Sequence, residues 1–156
     1  YSMAILILNK RMIYMVNQEL SKADYLHKAE KYCARAEHCA ADVERKLYEW
    51  GAPEEIHDEI VQTLYKNDYL NEERFCRAYV HDKLEYQHWG RLKIRAGLQA
   101  LKLPETIIQM ALNEIDREKY MLILRRVAEN KHATSQEQLF RFLLQRGFTY
   151  DEIKTL

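Results

Sequence analysis

Glycine and proline are scarce in this chain, at four and two of 156 residues. Short strands joined by tight turns need many more of both, because turns draw on glycine's positive φ and proline's fixed φ. A loop-rich or disordered chain is excluded on the same ground, and helix is favoured before any pattern is read. So few glycines also rule out a phosphate-cradling loop of the G-x-x-x-x-G-K type and a G-x-G-x-x-G fingerprint. Neither a G-x-S-x-G elbow nor an H-E-x-x-H pair occurs. The expectation is a protein that is not an enzyme, with no catalytic residue and no cofactor.

Cysteine is sparse too. Cys33, Cys39 and Cys76 are odd in number, and although His38 stands beside Cys39 there is no C-x-x-C pair to start a metal site. They are expected to be free core or capping thiols of a reducing compartment, the cytoplasm. Long apolar runs are missing. The longest near the start, Met3 to Leu8, falls far short of the about 20 residues of a membrane span. Its basic neighbours Lys10 and Arg11 follow it, whereas a signal peptide carries them in front. Residues 1–20 are therefore expected to form an N-terminal extension packing on the body, or in part a non-native remnant, and no membrane association is expected.

An excess of one charge sign is also absent: 24 Lys and Arg balance 24 Asp and Glu. The halves differ, however. Residues 1–89 hold 12 basic and 16 acidic side chains, and residues 90–156 hold 12 and 8. A basic second half suits an anionic partner, and an acidic first half facing a protein produces the same split.

What is present is amphipathic helix. Ser21 caps a stretch with Leu26, Ala29, Cys33 and Ala36 at helical spacing. Val43, Leu47 and Trp50 stripe the next, which Gly51 ends, and Pro53 opens a third with Ile56, Ile60, Val61 and Leu64. Asn71 caps a long helix carrying Phe75, Cys76, Tyr79, Val80 and Leu84. The syntax then returns after Gly90 with Ile94, Leu98 and Leu101, after Pro104 with Ile107, Ile108 and Ala111, and after Asp116 with Tyr120, Ile123, Leu124, Val127 and Ala128. Thr134 or Ser135 caps a helix with Leu139, Phe142 and Leu143, and Thr149 caps a last short one.

Laid side by side, these segments repeat. Val43/Leu47, Ile94/Leu98 and Leu139/Leu143 occupy equivalent places, each pair entered at Cys39, Gly90 or Ser135. The breaks Gly51-Ala-Pro53, Lys102-Leu-Pro104 and Gly147-Phe-Thr149 recur behind them. The expected architecture is all-α, three tandem three-helix repeats at residues 21–68, 69–114 and 115–156, forming an elongated, curved array. Units this small are expected to share a core with their neighbours. The spacing does not fit the tetratricopeptide pattern.

The segment Tyr69-Leu-Asn-Glu-Glu-Arg-Phe-Cys-Arg-Ala-Tyr-Val80, followed by Asp82-Lys83, resembles the signature of the RecX family. Arg35 to Leu47 resembles that family's first-repeat motif, with Cys39 where serine is common. Gly51 and the Trp89-Gly90-Arg91…Lys93-Ile94 start of the second repeat fit as well, so the resemblance covers about residues 23–156. It implies three tandem three-helix repeats in a curved molecule. It also implies binding to the RecA–DNA filament, with restraint of filament extension, strand exchange and ATP hydrolysis. The third repeat matches most loosely, because Arg146 replaces the apolar residue found at Trp50 and Leu101.

Within the motif, Asn71 is expected to cap, Phe75, Tyr79 and Val80 to enter the core, and Arg74 and Arg77 to be solvated or to bridge acids. The candidate contact surface lies further on. Arg91, Arg95 and Lys102, at i, i+4 and i+11, run along one flank of the Ile94/Leu98/Leu101 stripe, and Arg125, Arg126, Arg141 and Arg146 extend it. Such a row neutralises phosphates or meets acidic protein; a solvated helix face is the plain alternative. Most of the 11 tyrosines are expected in the core, and His38, His57 and His132 at helix ends or on the surface. The expected partner is the RecA filament, with nucleic acid bound weakly and without sequence preference, or through the filament, by a monomer. A helix-turn-helix-like DNA-binding regulator and a scaffold for another protein are the alternatives.

Overall fold

The structure, a computed structural model, describes Met3 and residues 19–156. The expected packing of an N-terminal extension on the body lies outside the described residues. Among those residues every regular element is helical. The helices are α1 (Lys22–Arg35), α2 (Ala40–Glu49), α3 (His57–Lys66), α4 (Glu72–Glu85), α5 (Arg91–Ala100), α6 (Glu105–Asn113), α7 (Arg117–Asn130), α8 (Gln136–Gln145) and α9 (Tyr150–Ile153). A 3₁₀ turn at Glu54–Ile56 leads into α3. Pro53 therefore opens that turn and not α3 itself, because its fixed φ suits an entry position one step earlier.

Local hydrogen bonds start the helices where polar caps stand. Ser21 Oγ accepts the Asp24 N–H at 3.2 Å while the Asp24 carboxylate accepts the Ser21 N–H at 2.8 Å, a reciprocal box. Those bonds from Ser21 hold the Asp24 carboxyl below its ordinary range. Asn71, Asp116, Ser135 and Thr149 accept from the third residue of α4, α7, α8 and α9. At Cys39 the same place is filled by a thiol, and the Asp42 carboxylate accepts the Cys39 N–H at 3.3 Å.

The tandem order is visible in the backbone. The first helices α1, α4 and α7 each have 14 residues, and the middle helices α2, α5 and α8 each have 10. Every middle helix ends alike. Gly51, Lys102 and Gly147 take positive φ of 76°, 60° and 94°. The next N–H groups, on Ala52, Leu103 and Phe148, donate back to the carbonyls of Leu47, Leu98 and Leu143 at 2.9, 3.3 and 3.2 Å. These are three Schellman ends, and the residue after each turn is buried. Lys102 is the one member of the set that is not glycine.

The apolar stripes do not join into one core. Tyr25, Ala29, Cys33, Val43, Leu47, Ile60, Val61 and Leu64 pack together from α1 to α3. A second core runs without a break from Phe75 through Ile94, Leu98, Ile108, Tyr120, Leu124 and Leu143 to Phe148 and Ile153. Only the second and third triplets share a core in the expected way; the first reaches it through Cys39 and Ala41. The joint between first and second triplets is instead polar. The Arg74 guanidinium bonds the Glu37 carboxylate, and also the Asp68 carboxylate at 3.2 Å and the Asp68 carbonyl at 3.0 Å.

The second joint is backbone against backbone. Gly90 N–H donates to the Arg146 carbonyl at 2.7 Å, and Leu92 N–H to the Gly147 carbonyl at 3.1 Å. A Cβ on Gly90 would stand inside 3.0 Å of Gly147 C and O and Phe148 N, a separation real Cβ atoms essentially never show. Glycine at both sides is what lets the chains touch.

All three thiols are buried and free, as expected. His57 stands at a helix end as expected, beginning α3, and is only 6% exposed. Its ring fills the space inside the Gly51–Pro53 turn's exit, with Nε2 3.0 Å from the Ala52 carbonyl and the Tyr48 ring edge-on at 4.6 Å.

Candidate partner-binding surface

The signature segment is structural at its base. Asn71 caps α4 at 2.9 Å, Glu72 and Glu73 lie in its positive first turn, and Phe75, Cys76 and Val80 are buried. Arg74 ties back to the first triplet, as described. Arg77 forks onto Glu114 at the end of α6, with contacts of 2.9 to 3.1 Å. That bidentate pair raises the Arg77 value and holds the Glu114 carboxyl below its ordinary range. The segment thus fastens the α1–α2 connection, the α3–α4 turn and the end of α6 to α4.

The seven candidate cations do not form one row. Arg91 is half-buried and already paired: its N–H donates to Tyr120 Oη at 3.1 Å, its guanidinium pairs with Glu152 at 3.4 Å and lies 4.0 Å from the Tyr120 ring centre. The Tyr120 hydroxyl in turn donates to Glu152 at 3.1 Å, and burial raises its pKa. Arg95 is bound to Glu105 and Gln109 on α6. Arg141 pairs with Glu137 one turn back at 2.9 Å. Lys102 occupies the left-handed end of α5 and makes no ion pair among the described residues.

Adjacent positions on α7 then send Arg125 and Arg126 to different places. Arg125 lines a concavity of about 930 Å³ together with Arg91 and Arg117, where Glu118, Asp151 and Glu152 balance the charge. Arg126 lines another, of about 590 Å³, with Arg146 and Lys131. Residues three apart would share a face of α7; neighbours stand 100° apart on it, which separates them. Sequence reading passed over Arg117 and Lys131, which lie at the two ends of α7, outside the spacing pattern that singled out the others. Among the described residues no group of three or more His, Cys, Asp or Glu is arranged to hold a metal ion. None of the described helices is long and apolar enough to cross a membrane.

Residues 71–112, from the cap of α4 to the end of α6, match the family description "RecX, second three-helix domain". A Regulatory protein RecX from Chlorobaculum tepidum is 31% identical over 146 residues, which cover 87% of this chain and 88% of that one. The chain belongs to the RecX family. RecX proteins from Geobacillus kaustophilus and Clostridium perfringens are each 30% identical, over 112 and 146 residues. The matched regions cover 72% and 86% of this chain but 40% and 63% of those relatives, so the chain spans less than two thirds of their length. The fold is also that of solved RecX structures. RecX from Lactobacillus salivarius superposes with a TM-score of 0.71 at 22% identity, over 86% of this chain and 92% of the other. A second regulatory protein RecX gives 0.73 at 20%, over 89% and 80%. The resemblance borne by Tyr69–Lys83 therefore holds, and the all-α array of three-helix units is a RecX fold.

Proposed function

We propose that this chain regulates RecA by docking on the RecA–DNA filament, where it hinders filament extension, strand exchange and ATP hydrolysis. Membership of a family whose relatives are named regulatory proteins carries the reading. The action is steric and electrostatic. A run of helical units, which we place at residues 21–68, 69–114 and 115–156, lies along the filament. Cations of the second and third units, Arg91, Arg95, Lys102, Arg125, Arg126, Arg141 and Arg146, sit towards DNA or acidic protein. No chemistry is performed, the working form is a cytoplasmic monomer, and free nucleic acid is bound weakly and without sequence preference.

The test is RecA ATP hydrolysis on single-stranded DNA, titrated with the protein and with variants of these cations. Inhibition near stoichiometric concentration is expected. It should weaken in Lys102→Ala/Arg125→Ala, whose side chains make no ion pair among the described residues and so leave the fold alone. Arg91→Ala/Arg95→Ala also strips partners from Glu152 and Glu105, so its effect counts only where circular dichroism shows an intact fold. No inhibition of a cognate RecA by the folded wild-type chain overturns the proposal.

A further inference from the structure

The smaller concavity, about 590 Å³, lies where the second and third triplets meet. His88 enters it from the turn between α4 and α5, Arg126 and Lys131 from the end of α7, and Phe142 and Arg146 from the end of α8. No carboxylate lines it. In that it differs from the concavity beside α9, where three arginines meet three acids, and from Arg95, which Glu105 neutralises. Arg126 and Lys131 are exposed and make no ion pair among the described residues. Arg146 donates only to neutral acceptors, the carbonyls of Gln87 and His88, and its Nε–H is buried with no acceptor. Lys131 Nζ lies 4.7 Å and the Arg146 guanidinium 5.9 Å from the centre of the Phe142 ring, so one ring steadies both cations.

Repeat symmetry shows that the backbone does not ask for this charge. The residue closing each middle helix is Trp50, Leu101 or Arg146, with φ of −81°, −83° and −77°. Where two units place an apolar side chain the third places a guanidinium, in the same conformation. Arg146 fastens the end of α8 to the Gln87 and His88 carbonyls, yet neutral carbonyls leave its charge, like those of Arg126 and Lys131, without a carboxylate in the concavity. That uncompensated charge points to an anionic ligand.

We infer that this concavity is a phosphate site for single-stranded nucleic acid, gripping the sugar-phosphate backbone at the joint between the second and third units. Its volume suits a nucleotide-sized group and is generous for a lone carboxylate of an acidic protein. Uncompensated cations at the ends of α7 and α8 match a chain that carries a charge on every unit, and arginine offers phosphate a fork of donors. They converge on a hollow rather than run in a row, which suits a strand able to bend into it better than a stiff duplex. Contacts to phosphate carry no base sequence. The inference rests on the filament reading for its setting, but its test needs no recombinase.

Fluorescence anisotropy of a labelled oligothymidylate of about 20 nucleotides is read against salt, a length that exceeds the about 4–16 nucleotides of common single-strand sites. The wild-type chain should bind at low salt, and Arg126→Ala/Lys131→Ala should lose about tenfold in affinity. The log–log salt slope should fall by about 1.4, at about 0.7 per phosphate contact removed. Lys31→Ala/Lys66→Ala, which removes two exposed cations of the first triplet, should leave the slope unchanged. Absence of wild-type binding overturns the inference, as does an unaltered slope in Arg126→Ala/Lys131→Ala. Tighter binding of duplex than of single strand, or displacement of the strand by polyglutamate as efficiently per charge as by heparin, overturns it too. Should the alanine pair unfold, Arg126→Gln/Lys131→Gln keeps the bulk and gives the same reading. Intact oligonucleotide binding with no effect on RecA would sink only the regulator proposal. Intact inhibition of RecA without oligonucleotide binding would sink only this site.

Discussion

Gly90→Ala should be among the most damaging single methyl additions in the chain. Gly90 has φ of −76°, a conformation alanine adopts freely, so any cost is steric. The atoms in the way are Gly147 C and O and Phe148 N, all backbone, and none can rotate aside. The two segments must separate, which strains the 2.7 and 3.1 Å bonds from Gly90 and Leu92 and shifts the wholly buried Phe148. Overpacking costs about 1–3 kcal/mol and each weakened hydrogen bond about 0.5–1.5 kcal/mol, so a loss of about 3–5 kcal/mol is expected. For a chain of this size that is a fall in Tm of about 10 °C. Gly51→Ala supplies the contrast. No atom lies within 4 Å of its added Cβ, and the φ of 76° is the whole cost, about 1–2 kcal/mol. Urea unfolding followed by tryptophan fluorescence reads the two apart, because Trp50 packs on the first core and Trp89 on the second. Gly90→Ala should move the Trp89 signal and Gly51→Ala the Trp50 signal. A Gly90→Ala protein no less stable than Gly51→Ala would refute the reasoning.

Lys102 bears a left-handed strain that its counterparts Gly51 and Gly147 avoid, with φ of 60°. Lys102→Gly should therefore stabilise by about 0.5–1 kcal/mol, the relieved strain less glycine's greater freedom when unfolded; a lowered thermal midpoint would contradict this. Burial pushes the Cys33, Cys39 and Cys76 thiols up to about 11, with Glu37 and Asp42 adding to the effect at Cys33. Their folded values lie above the unfolded ones, so this stability is present below the ordinary thiol range and is lost as pH climbs towards 11. Urea midpoints should fall between pH 9 and pH 11, and at pH 8 all three thiols should react with a disulfide reagent only as fast as the chain opens. Rapid reaction of even one thiol in the native protein would count against its burial.

Much of the fold was legible because its signals act over a turn or less. Ser21, Asn71, Asp116, Ser135 and Thr149 each satisfy an N–H three residues on, so residue type and position announce the cap. The same holds for Gly51 and Gly147, whose positive φ ends a helix. The RecX signature was readable for a related reason, since Tyr69–Lys83 concentrates a cap, a core face and two anchoring arginines in one helix. The burial of His57 was not legible, because it depends on Tyr48 and a turn folding over it.

The candidate surface was legible only in part. Helical spacing correctly puts Arg91 and Arg95 on neighbouring turns, but Glu152 lies 61 residues from Arg91 and no periodicity reports the pairing. The helices, their order, their tandem repetition and the family were determined by the sequence itself, because caps, stripes and turns depend on near neighbours. Which cations are spent internally, which stay uncompensated around Phe142, and that the first core stands apart while the second and third are one were decided only by the tertiary structure. Charge neutralisation and packing depend on through-space distance, and the chain brings together at Gly90 and Gly147 residues that its own order keeps far apart.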